Sequence, residues 1–180
     1  MTWDAFHRRG QVLRTVVEVA NSRRDGVLPI QLPGVAETFG DESALVAALQ
    51  LRWHTRLAGQ IERALCEEPA QLETAVLTAW RRTASELPGV RAILDASTER
   101  PIDAEMDKAL TRANRKDWVL MAAMAGQAST ADAAAVRTGR RLEEKARAAY
   151  DPAASRPTAS GAAPSEHHTL LGKLMAHLAA

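Results

Sequence analysis

Two histidines on neighbouring helical segments, His7 beside Phe6 and His54 beside Trp53, are the residues of this sequence best suited by type to hold a ligand or move a proton near neutral pH. If their helices meet in a bundle, the pair shares a pocket beneath the segment 27–39, and Trp118 is the tryptophan expected to face a partner or that segment. Two histidines fall short of a metal site. The Glu-x-x-His and His-Glu-x-x-His spacings that set ligands one helical turn apart are missing, so no metal is expected. The glycine-rich phosphate loops GxGxxG and GxxxxGK followed by Ser or Thr are missing too, and no cofactor is expected. The plainer account of His7 and His54 is a pair of boundary histidines bonded to backbone or water. Cys66 lies beside Glu67 and Glu68, whose charges oppose thiolate formation, so no nucleophile and no catalytic residue is assigned.

A second pattern is cationic. Lys108, Arg112, Arg115 and Lys116 fall on one face of a helix, and Arg137, Arg140, Arg141 and Lys145 repeat the theme on the next. Should these helices form an antiparallel hairpin, the two stripes could join into a strip able to contact phosphates of a nucleic acid or a ribosome. The plainer account is a solvated face partly neutralised by Asp107, Asp117, Glu143 and Glu144. A third pattern is apolar: Leu170, Leu171, Leu174, Met175 and Leu178 mark one side of a short amphipathic helix, the form of a ligand for a groove in a partner protein.

The elements that must position these residues are helices. From Trp3 to about residue 22, apolar positions recur at steps of three and four. Pro29, Pro33, Gly34 and Gly40 then exclude a regular helix, yet Val27, Leu28, Ile30, Leu32, Val35 and Phe39 are too apolar for a solvated loop, so residues 27–40 read as a strap packed across the helices. Asp41-Glu42-Ser43 caps a second long helix whose buried line is Leu45, Leu49, Trp53, Leu57, Ile61 and Leu65. A third, opened by Pro69, carries Leu72, Val76, Trp80, Thr83 and Leu87, and the two make a tight antiparallel hairpin. Residues 90–96 suit a short fourth helix. A fifth follows Pro101 with the stripe Met106, Ala109, Leu110, Ala113, Leu120, Met121 and Met124. Residues 130–150 form a sixth, capped by Ser129 or Thr130, whose seam is Ala135, Gly139, Leu142, Ala146 and Ala149. The four tryptophans fall on four different helices, which speaks for core packing rather than an aromatic ligand box.

Composition supports an all-α class. In 180 residues there are 36 alanines and an aromatic share of only 4%, which favours helices joined by thin layers. Arginine outnumbers lysine 19 to 4, a coding bias of high-GC bacteria more than a chemical signal. The net charge of +1 gives no global pull toward nucleic acid or anionic membrane, and Arg52, Arg56 and Arg63 interrupt the most apolar long segment, so no membrane span is expected. A single cysteine and a start without a charged-then-apolar leader suit the cytoplasm. The reading is a bundle of five to six helices over residues 1–150, a flexible Pro/Ala/Ser-rich linker over 151–166, and a C-terminal docking helix over 167–180. The favoured function is a non-enzymatic cytoplasmic interaction or regulatory module that engages a partner protein through the C-terminal helix or the 27–40 strap. The alternatives are the nucleic-acid factor and a small-molecule-binding bundle with a pocket near His7 and His54.

Overall fold

The structure, a computed structural model, describes residues 3–151. It is all-helical there: α1 (Trp3–Arg23), α2 (Val35–Phe39), α3 (Glu42–Glu67), α4 (Leu72–Glu86), α5 (Pro88–Glu99), α6 (Ala104–Met124) and α7 (Ala133–Ala148). The linker 151–166, beyond Asp151, and the docking segment 167–180 lie outside the described residues.

The helix α3 is the axis of the bundle. Its step-of-four line, Leu45, Leu49, Trp53, Leu57 and Ile61, is almost wholly buried because that spacing keeps every side chain on one face. Across it α4 runs antiparallel and contributes Val76, Ala79, Trp80 and Thr83, all likewise buried. The indoles of Trp53 and Trp80 meet edge to face at 5.8 Å, and Tyr150 stacks edge to face on Trp80 at 6.0 Å. The Tyr150 hydroxyl donates to the Ala84 carbonyl at 3.2 Å, so the end of α7 is fastened to α4.

Two glycines set the closest helix crossings. A Cβ at Gly139 of α7 would lie 1.9 Å from the Trp118 carbonyl oxygen of α6, and one at Gly89 of α5 would lie 1.9 Å from the Ala20 carbonyl oxygen of α1. Only the missing side chain allows backbone to meet backbone at these points. Asn21 secures the second crossing: its Oδ1 accepts from the Gly89 N–H at 3.0 Å while its Nδ2 donates to the Glu86 carbonyl at 3.2 Å.

Several expected boundaries move. Seven helices are present among the described residues because the strap contains a turn and a half of its own, α2, with Val35 and Phe39 in the core and the Arg9 guanidinium 4.5 Å above the Phe39 ring. Pro69 lies in the turn before α4 rather than in its first turn, and α5, expected over residues 90–96, already begins at Pro88, where a missing N–H costs nothing. The cap of α7 is Asp132, whose Oδ1 accepts from Ala134 and Ala135, in place of Ser129 or Thr130. Leu72, expected on the buried face of α4, is 39% exposed.

Candidate functional site

A cleft of about 870 Å³ lies between α3 and α6. These helices run in parallel, so their capped N-termini share one end of the cleft: Asp41 accepts from the Ala44 N–H and Asp103 from the Met106 N–H, each at 2.7 Å. The walls are separated because much of what faces the gap is small. Ala47, Ala109 and Ala113 add little volume beside Val46, Met106 and Leu110, and Leu51 stands 65% exposed at the margin.

A polar cluster closes the far half. Asp117 of α6 is buried, and its two carboxylate oxygens are taken separately: Gln50 Nε2 donates to Oδ2 at 3.0 Å, and His54 Nδ1 meets Oδ1 at 2.5 Å. Burial raises the pKa of Asp117, and the bond to His54 with the charges of His54 and Arg91 offsets this only in part. Nδ1 of His54 is committed to Asp117, and His54 lines the cleft with its side chain 39% exposed. Gln50, only 6% exposed, has an Oε1 with no hydrogen-bond partner. A buried amide oxygen left this way is costly unless something donates to it. On the same wall Arg112 and Lys116, one turn apart, form no ion pair among the described residues.

Ser43, the one hydroxyl on the cleft wall, precedes His54 by eleven residues of α3, about 16 Å along the axis, far beyond hydrogen-bond reach. Among the described residues no cluster of three or more His, Cys, Asp or Glu could hold a metal ion, and no helix is long and apolar enough to cross a membrane.

The expected site residues separate. His54 lines the cleft; His7 is exposed on α1 and does not, and none of residues 27–40 borders it, so the pocket lies between α3 and α6 instead of beneath the strap. Trp118 faces α7, its indole N–H donating to Glu143. It borders a second, smaller concavity with Arg140, where Arg147 makes paired bonds to Asp95 at 3.0 and 2.8 Å and Arg91 reaches the same carboxylate at 2.9 Å. Burial works against the Asp95 charge, but these guanidinium groups more than offset it and hold its pKa below the usual carboxylate value.

The basic stripes are both solvent-exposed, and their members border different hollows. Arg112 and Lys116 look into the α3–α6 cleft, whereas Arg137, Arg140 and Arg141 line a shallow hollow on α7. Helical spacing puts Lys116 and Trp118 on opposite flanks of α6, and it is the Trp118 flank that meets α7. Lys108 and Arg115 are exposed on the outer face of α6; Lys145 pairs with Glu73 at 2.7 Å and Arg140 with Glu144 at 3.2 Å. Asp117 and Glu143, expected to neutralise the solvated face, point inward instead. The stripe Leu170, Leu171, Leu174, Met175 and Leu178 lies outside the described residues.

Sequence reasoning missed Asp117, Gln50 and Arg91. The signal was present: Met106, Leu110, Asp117 and Met121 fall on one helical line, as do Val46, Gln50, Trp53 and Leu57, and a polar residue on a buried line must find a partner. Comparison of the chain with models of known protein families, with curated proteins and with solved structures gives no match.

Proposed function

We propose that this chain is a non-enzymatic binding protein whose site is the α3–α6 cleft and whose ligand is a small amphipathic molecule. The observation that carries this reading is the cleft itself, where the partly exposed His54, bonded to buried Asp117, stands beside the apolar wall of Val46, Met106 and Leu110. Concave, mostly apolar sites with a few convergent polar groups are the usual form of small-molecule pockets, and the volume lies within their common range. A buried carboxylate with a raised pKa is a further mark of a functional site. A cytoplasmic setting accords with the exposed lone thiol of Cys66. The test is a neutral apolar dye, Nile red, titrated into the wild type and into Ala109→Trp, which fills the cleft from an exposed helix position. Saturable one-to-one binding that the variant loses supports the reading; equal binding by both proteins refutes it.

A second reading, engagement of a partner protein through the strap, draws on Val27 and Ile30, which are 52% and 44% exposed. Replacing both by Glu should release a co-purifying partner while leaving the Nile red titration unchanged, and recovery of the same partner with the double variant would remove this reading.

A further inference from the structure

The cleft is electrically polarised along its length, and this bears on what it holds. Resting on the cleft reading above, we infer that the ligand is an elongated monocarboxylate, its carboxylate held by Arg112 and Lys116 beside His54 and its apolar chain lying over Met106, Ala109 and Leu110 toward the capped helix ends. Arg112 and Lys116 present two cations one turn apart, matched to a small anionic head, and neither is committed to an ion pair among the described residues. Gln50 and His54 line the same half of the cleft, where His54 is partly exposed and its Nδ1 is committed to Asp117.

The ligand carries its charge at one end only. At the opposite end Asp41, Asp103 and Glu105 line the cleft, so a second carboxylate at the far tip of the ligand would meet acidic groups. Glu105 and Lys116 are eleven residues apart on α6, about 16 Å, which leaves room between them for an extended chain such as that of decanoate.

The test compares decanoate, decanol and decanedioate by isothermal titration of the full chain at low salt, with Arg112→Gln/Lys116→Gln as the variant. Decanoate should bind about tenfold more tightly than decanol, as one charge-assisted contact at an exposed wall provides. Decanedioate should bind more weakly than decanoate. The double variant should bind decanoate and decanol alike, with decanol affinity unchanged from the wild type, and added salt should erode the preference in the wild type alone. Equal affinity of the wild type for decanoate and decanol, or a preference that survives in the double variant, overturns the carboxylate assignment and leaves the cleft reading standing. Absence of binding by all three, together with failure of the Nile red titration, overturns both.

Discussion

Replacing Gly139 by alanine probes the α6–α7 crossing more sharply than any deletion. The added Cβ would sit 1.9 Å from the Trp118 carbonyl oxygen, 2.3 Å from its carbonyl carbon and 2.6 Å from its Cα. All three are backbone atoms, so no side chain can swing aside and the helices must part by more than an ångström. Overpacking of this kind costs about 1–3 kcal/mol, and a backbone-to-backbone clash belongs at or above the top of that range. Alanine returns about 0.8–1.0 kcal/mol through its better helix propensity, leaving a net loss of about 2 kcal/mol or more. Parting the helices also strains the Trp118–Glu143 bond and, through Glu143, the Arg147 pairs. The control is Gly59→Ala in α3, where a Cβ meets nothing within 4 Å; it should stabilise by about 0.5–1 kcal/mol. Urea unfolding followed by circular dichroism measures both. A Gly139→Ala midpoint equal to that of Gly59→Ala would show that α6 and α7 do not cross at these residues.

Trp80→Ala should cost about 3–5 kcal/mol in the same assay, because it removes a buried ring that contacts Trp53 and Tyr150, whereas Arg112→Gln should shift stability by less than about 0.5 kcal/mol; equal shifts would contradict the placement of the core. Asp95→Ala should cost about 2–3 kcal/mol at neutral pH, since it strips Arg91 and Arg147 of their shared carboxylate. As the pKa of Asp95 is lowered by folding, its contribution is present above the ordinary carboxylate pKa and fades as the pH falls through the folded value, so wild type and variant should converge in acid. Asp117 has the opposite sign: its raised pKa means that ionisation destabilises the fold as the pH rises through the folded value, and Asp117→Asn should gain on the wild type over that interval in urea unfolding across pH 4–8. A variant that loses ground to the wild type over the same interval would reverse that assignment.

The long helices were legible because burial and spacing agree in them. The line Leu45 to Ile61 in α3, Val76, Trp80 and Thr83 in α4, and Gly139 on the inward seam of α7 all follow from a period of 3.6. Short elements were less so: α2 is a turn and a half held by the tertiary burial of Val35 and Phe39, which local propensity does not encode. The pairing of helices was also beyond reach, and the site depends on it. Whether His54 would meet His7 or Asp117 is decided by which helix lies against α3, and nothing in the local spacing ranks α1 against α6. Ala109 and Ala113 illustrate the same limit. The spacing puts both on the apolar stripe of α6, but small residues on a stripe can close a contact or leave a gap, and here Ala109 is exposed and Ala113 half-buried at the border of the cleft.

The most direct measurement is a ¹H–¹⁵N correlation titration of the labelled chain with decanoate. Binding in the cleft predicts that amide shifts concentrate in Val46–His54 of α3 and Met106–Asp117 of α6, saturate at one equivalent, and leave Arg137–Lys145 of α7 unmoved. Shifts centred on α7, or spread evenly over the surface without saturation, would contradict the claim that the α3–α6 cleft is where this protein binds.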